Sequence, residues 1–186
     1  MRLWSLTLKN FIGIYNGLGK TEITIPFYKC INQIVIIKGD NGSGKSTVFK
    51  ALHPFADASN SFIPDKNASK AISYKLDNGD IFHLKYEYKM MESSRKTTCE
   101  VVLEKQDGSR ITLNPNKNVR DAKDIICNYL DIDPGFLTLA QLSSDDRGLA
   151  DKLPSERKKF INSKISELDA FNEIYKKVTK RSSQLH

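Results

Sequence analysis

Apolar and polar positions alternate at the start of the chain. Trp4, Leu6 and Leu8 are separated by Ser5 and Thr7, which is the two-residue period of a strand with one buried face. A first strand is expected to run to about Phe11. Residues 21–25 alternate again and stop at Pro26, after a turn containing Gly17 and Gly19, so a second strand follows. Ile34-Val35-Ile36-Ile37 is a continuous β-branched run, which predicts a strand buried on both faces in the middle of a sheet. Beyond Gly39 the period lengthens. From Lys45, Val48, Phe49 and Leu52 recur at helical spacing until Pro54 interrupts them.

Residues 56–68 are rich in Ala, Ser, Asn, Asp and Pro and read as a surface loop. Two hairpin patterns follow. Residues 71–76 and 81–88 flank Asp77-Asn78-Gly79-Asp80, and residues 99–105 and 111–113 flank Asp107-Gly108-Ser109, predicting an antiparallel β lobe. Tyr74, Phe82, Tyr86 and Tyr88 fall in these strands, where alternation makes them sheet-face residues rather than a base-stacking platform. Residues 119–130 are amphipathic through Ala122, Ile125, Ile126, Tyr129 and Leu130. Asp131 and Asp133 then read as a solvated helix end. After Pro154-Ser155-Glu156, Ile161, Ile165, Leu168, Phe171, Tyr175 and Val178 recur at three- and four-residue steps, the stripe of a helix that leaves the globe as a coiled-coil arm. The expected division is a lobe over 1–150 and the start of an arm over 151–186.

The charge balance adds one constraint. With 29 Lys and Arg against 22 Asp and Glu, the formal net charge is +7, which permits a polyanionic partner without demanding one. Part of the basic excess falls near the end, at Lys176, Lys177, Lys180 and Arg181; these are candidate DNA-backbone contacts, against the plainer reading of a solvated helix face. Cys30, Cys99 and Cys127 form no C-x-x-C pair, which argues against a disulfide framework or a zinc site. His53, His83 and His186 are too scattered to suggest a metal or proton-transfer site. No stretch has the length of a membrane span or the unbroken apolar core of a secretion signal, so a reducing cytosol is the expected compartment.

The chemistry concentrates in one segment. Gly39-Asp40-Asn41-Gly42-Ser43-Gly44-Lys45-Ser46 satisfies G-x-x-x-x-G-K-[ST], between an expected strand and an expected helix as the Walker A P-loop requires. Its glycines let the backbone wrap around phosphates with successive amides pointing inward. ATP with Mg²⁺ is the implied ligand. Lys45 is placed to bridge the β- and γ-phosphates, Ser46 to ligate Mg²⁺ and Thr47 to contact the α-phosphate. Hydrolysis also needs an acidic residue at the end of another buried strand and a group that orients water, and neither is visible in these residues.

The motif order resembles the N-terminal ATPase half of SMC-like members of the ABC class, especially the SbcC-type subunits of double-strand-break-repair nuclease complexes. The match rests on Leu8-Lys9-Asn10-Phe11, on Asn41-Gly42-Ser43-Gly44-Lys45-Ser46-Thr47, and on Phe136-Leu137 with Gln141, followed by Leu153-Pro154-Ser155-Glu156-Arg157-Lys158-Lys159. The resemblance implies an α/β P-loop ABC-type half-head with an antiparallel β lobe and a C-terminal coiled-coil helix. It implies that Gln141 ligates Mg²⁺ and the attacking water and relays the nucleotide state to the arm.

It implies as partners the protein's own C-terminal ATPase half, a second head in a homodimer, a metal-dependent nuclease subunit and DNA, with no membrane and an intracellular or nucleoid-associated location. The second half would bring the signature loop and the Walker B acids, so this chain alone is expected to hold nucleotide without turning it over. Two positions depart from the pattern. Ile12 stands where an arginine phosphate contact is common, leaving Lys9 or Asn10 for that task, and Leu142 stands where glycine commonly follows the Q-loop glutamine. The alternatives are an SMC-like or recombination-mediator DNA clamp without a nuclease, and a self-contained P-loop kinase, against which the terminal arm argues.

Overall fold

The computed structural model describes residues 1–30, 34–92, 94–132, 153–155 and 175. The chain divides into two units, Met1–Ile132 and Asp133–His186, and the architecture that follows is that of the first. Six strands form a single sheet: β1 (Arg2–Lys9), β2 (Glu22–Ile25), β3 (Ala68–Lys75), β4 (Ile81–Met90), β5 (Arg95–Glu104) and β6 (Arg110–Thr112). Their order is β2-β1-β3-β4-β5-β6, and every neighbouring pair is antiparallel.

The alternation seen in the sequence sets the faces of this sheet. Leu6 and Leu8 of β1, Ile72 and Tyr74 of β3, Phe82, Leu84, Tyr86 and Tyr88 of β4, and Cys99, Val101 and Leu103 of β5 all enter one core. Register holds them there, with Leu6 opposite Ile72, Ile72 opposite Leu84 and Leu84 opposite Val101. A slip of one residue would turn any of these rows to water. Both expected hairpins are present, and the tyrosines and Phe82 are sheet-face core residues as read.

Three helices join the sheet: α1 (Ile12–Leu18), α2 (Lys45–Ala51) and α3 (Val119–Leu130). Helix α3 has the expected boundaries. Its N-cap Asn118 accepts from the Arg120 amide at 2.8 Å, satisfying one of the amides left over at a helix start. Ala122, Ile126 and Leu130 form its buried stripe, and Asp131 closes it in the left-handed conformation at φ 50°, one that a short polar side chain tolerates.

Two expectations fail. Residues 34–37 are not a buried central strand: they are in no strand of the sheet, and Ile34, Val35, Ile36 and Ile37 are 91%, 44%, 70% and 38% exposed. A two-faced buried strand needs hydrogen-bonded neighbours and a covered surface on each side, and the six described strands pair with one another instead. In place of the expected Gly17/Gly19 turn the chain forms α1, closed by Gly19 in the left-handed region at φ 65° with its amide on the Tyr15 carbonyl. Glycine weakens a helix, so the pattern hid this one, whose reason lies in what it touches.

Candidate nucleotide site

Gly44 ends the glycine loop and begins α2 in the left-handed region, at φ 86°, a conformation that a Cβ disfavours. Within the loop the Ser43 amide donates to the Asp40 carbonyl at 3.2 Å, which curls the chain between Asp40 and Gly44. The Lys45 ammonium crosses the mouth of this curl, donating to the Gly39 and Asp40 carbonyls at 2.7 Å each. Ser46 is exposed on the first turn of α2, Thr47 is half-buried, and Val48 and Ala51 seat the helix on the core. The segment therefore offers an ammonium at Lys45 and an exposed hydroxyl at Ser46 next to the glycine loop. This donor set fits a polyphosphate with Mg²⁺, a hard cation that takes oxygen ligands from a hydroxyl, phosphates and water.

Helix α1 lies directly against this loop. A Cβ on Gly17 would overlap the Gly42 carbonyl oxygen and sit 2.6 Å from the Ser43 carbonyl carbon, and a Cβ on Gly13 would overlap the Thr47 side chain. Close approach of α1 to the P-loop is thus possible only with hydrogen at these two positions.

A cavity of about 230 Å³ opens beside Ser46 and Thr47. Phe11, Ile12 and Gly13 line one side, Lys50 belongs to α2, and Asp57, Asn60 and Ser61 complete it. The last three were missed in the sequence, because a segment rich in Ala, Ser and Asn carries no sign of what it faces.

Residues 52–57 are held by hydrogen bonds from the sheet. Tyr74 donates to the Leu52 carbonyl at 3.1 Å and Tyr86 to the Pro54 carbonyl at 2.8 Å. Tyr88 donates to Asp57 Oδ2 at 2.9 Å while accepting from the Asp57 amide at 3.0 Å. Lys70 is fully buried, and its Nζ reaches the carbonyls of His53 and Phe55 at 3.0 and 2.6 Å and Asp57 Oδ2 at 2.7 Å. Burial lowers the Lys70 pKa from its ordinary value, while the Asp57 carboxylate opposes that shift; a buried ammonium persists only when paired in this way. Burial likewise raises the three tyrosine hydroxyls above their usual range, so they act as neutral donors.

His53 is pushed down to about 4 by burial first and by Lys70 second, against the pull of Asp57. Its Nδ1 accepts from the Phe55 amide at 3.1 Å, a bond that requires an unprotonated Nδ1. His83 stands apart from His53, on the opposite sheet face, bonded to Ser73 Oγ at 2.8 Å, and His186 lies outside the described residues.

The residues expected at the phosphates are only partly brought together. Asn41, Gly42, Ser43, Gly44, Lys45, Ser46 and Thr47 stand together in the loop and the first turn of α2. Asn10 sits at φ 58° and donates its side-chain amide to the Asn67 carbonyl at 2.6 Å, turning the chain from β1 into α1. The Lys9 ammonium lies 3.7 Å from Glu22. Neither lines the cavity. Gln141, the coiled-coil stripe, and Lys176, Lys177, Lys180 and Arg181 lie outside the described residues.

A family model described as an AAA domain matches residues 5–186. The chain belongs to this family, an AAA-type ATPase domain found in SMC- and SbcC-like proteins, and is by that membership a nucleotide-binding, ATPase-type domain. Comparison with curated proteins gave no match. No helix among the described residues is long and apolar enough to cross a membrane.

Proposed function

We propose that this chain is the ATP-binding half of an SMC-like ATPase head that works on DNA ends together with a nuclease. The observation that carries the reading is the Lys45 ammonium lodged between the Gly39 and Asp40 carbonyls at the mouth of the glycine loop, where it can exchange carbonyl oxygens for phosphate oxygens. Lys45 then holds the β- and γ-phosphates, the loop amides hold their oxygens, and Thr47 contacts the α-phosphate. Ser46 and Gln141 are the residues that would hold Mg²⁺, which supplies neutralisation of the charge developing on the phosphoryl oxygens. Gln141 further orients the attacking water and links the site to the coiled-coil arm.

The exposure of residues 34–37 supports a composite head. An extended β-branched run leading into the loop gains a place in a sheet once a strand from a C-terminal ATPase half lies beside it. That half would also bring the acid that completes metal positioning, and two such heads would sandwich ATP. Coupling to DNA, a metal-dependent nuclease and double-strand-break repair follows the resemblance in Leu8-Lys9-Asn10-Phe11 and Asn41-Gly42-Ser43-Gly44-Lys45-Ser46-Thr47.

The test is calorimetric titration with Mg²⁺-ATP. Lys45→Ala is expected to weaken binding by roughly ten- to a hundredfold, the worth of a hydrogen bond to a charged group, with the thermal midpoint unchanged. Equal affinity of the two proteins would remove Lys45 from the phosphate site. Phosphate release by the chain alone is expected to be near background and to rise steeply with protein concentration when the C-terminal half is added. Turnover by the chain alone, independent of concentration and abolished by Lys45→Ala, would replace the composite head with a self-contained enzyme.

A further inference from the structure

Asp57 is a carboxylate of which one oxygen is used and the other is not. Oδ2 accepts from Tyr88 and is paired with Lys70, at 2.9 and 2.7 Å. Oδ1 accepts no hydrogen bond among the described residues, and His53 Nε2 stands 3.9 Å from it, beyond hydrogen-bond reach. The side chain is only 6% exposed, yet Asp57 lines the cavity that begins at Ser46 and Thr47. The carboxylate is thus fixed through one oxygen while the other is left to accept a donor from the cavity.

Position narrows the donor. The phosphates are assigned to the loop from Gly39 to Ser46, with Thr47 at the α-phosphate, and the cavity leads from Thr47 to Asp57. The part of a nucleotide that follows the α-phosphate is the ribose. An ionised carboxylate only accepts, so it suits a hydroxyl and repels phosphate, which keeps the triphosphate from entering the cavity reversed. Carboxylates recognise ribose hydroxyls in other nucleotide folds by the same chemistry.

We infer that Asp57, locked by Lys70 and Tyr88, is a specificity-determining residue that accepts a hydrogen bond from a ribose hydroxyl of the bound nucleotide, making this a ribonucleotide-selective site. The inference rests on the P-loop reading of the proposed function and extends it to the sugar. The lock is what gives the contact its selectivity. Two donors, the Tyr88 hydroxyl and the Lys70 ammonium, hold the carboxylate through Oδ2, so it cannot swing to follow a sugar that lacks the hydroxyl.

The experiment titrates the whole chain, in Mg²⁺, with ATP, 2′-deoxy-ATP, 3′-deoxy-ATP and inorganic tripolyphosphate. Wild type is expected to bind at least one deoxy analogue roughly tenfold more weakly than ATP, the low end for a hydrogen bond to a charged acceptor. In Asp57→Leu/Lys70→Met, which removes both buried charges while keeping volume, ATP and its deoxy analogues are expected to bind alike, with tripolyphosphate affinity unchanged. Asp57→Asn, a weaker neutral acceptor, is expected to fall between.

Equal binding of ATP and both deoxy analogues by wild type overturns the inference without any variant. So does discrimination that survives in the double variant, or a parallel loss of ATP and tripolyphosphate binding there, which would make Asp57 a support of the fold alone. If wild type holds tripolyphosphate and Lys45→Ala does not, the P-loop reading stands whatever the sugar shows. If wild type binds neither ATP nor tripolyphosphate, both fall together.

Discussion

Around β3 and β4 the sheet grips its neighbour segment closely: three tyrosine hydroxyls and one ammonium close on five carbonyl or carboxylate groups within residues 52–57. Twenty residues upstream the chain does the opposite. Four β-branched side chains stand in water and the loop after them bonds mainly to itself. The first region is closed by bonds across the sheet, whereas the second meets α1 and runs on into α2. A nucleotide loop must exchange its internal bonds for phosphate, so low local stability serves it, while the sheet must not move when that exchange occurs.

The largest effect should come from breaking the closed region. Lys70→Ala leaves Asp57 buried beside Tyr88 without its countercharge and frees the His53 and Phe55 carbonyls. The expected cost is about 3–5 kcal/mol in chemical denaturation, most of an ordinary domain's stability. Asp57→Leu/Lys70→Met should cost far less. If the single and double variants proved equally unstable, packing rather than charge pairing would hold residues 52–57.

A second test uses pH. His53 is neutral in the folded chain down to about 4 but takes a proton near 6.5 when unfolded. Between those values the unfolded state binds more protons, so stability is full above pH 6.5 and falls as pH drops from 6.5 to about 4, by on the order of 3 kcal/mol at most. His53→Asn, which can still accept from the Phe55 amide, should flatten that slope. An unaltered slope would assign the acid sensitivity to other groups.

Much of the closed region was legible in the sequence. Period-two alternation with Asp77-Asn78-Gly79-Asp80 and Asp107-Gly108-Ser109 located both hairpins, since those patterns report a local geometry and one buried face. The network through Lys70 was not legible, because a lysine between Ser69 and Ala71 in an alternating strand carries no mark of which carbonyls it will meet fifteen and seventeen residues away. In the loop region the motif from Gly39 to Thr47 was plain, and its neighbours were misread. Residues 34–37 have the composition of a central strand, but burial depends on surfaces that a composition does not contain. Gly17 read as a turn residue and Gly13 drew no reading; the role of both is the absence of a Cβ where α1 meets the glycine loop and the start of α2.

Gly17→Ala tests that close approach. The new methyl group would meet backbone atoms of Gly42 and Ser43, which cannot rotate away, so α1 or the loop must shift, at a cost of about 1–3 kcal/mol. Because the loop is the softer partner, the shift should appear chiefly as weaker Mg²⁺-ATP binding, with the main unfolding transition little changed. Loss of thermal stability with nucleotide affinity intact would show instead that α1 yields and the loop is rigid.

The smallest effect is expected on the solvent face of the same sheet. Glu87 lies 3.0 Å from Lys85 and 3.4 Å from Lys89, two residues to either side on β4 and therefore on one face. The Lys85 ammonium, as a hydrogen-bond donor, is the main cause that lowers the Glu87 pKa from its usual value. All three side chains are substantially exposed, so water and salt screen the attraction and side-chain freedom opposes it. Glu87→Gln should cost under about 1 kcal/mol, and the difference should vanish in molar salt. Set beside Lys70→Ala, this measures what burial does to the same pairing of lysine with a carboxylate within one sheet. A loss at Glu87 comparable to that at Lys70, and persistent in high salt, would mean that the outer face of β4 is covered rather than solvated, and the contrast between paired charge inside and outside the sheet would fail.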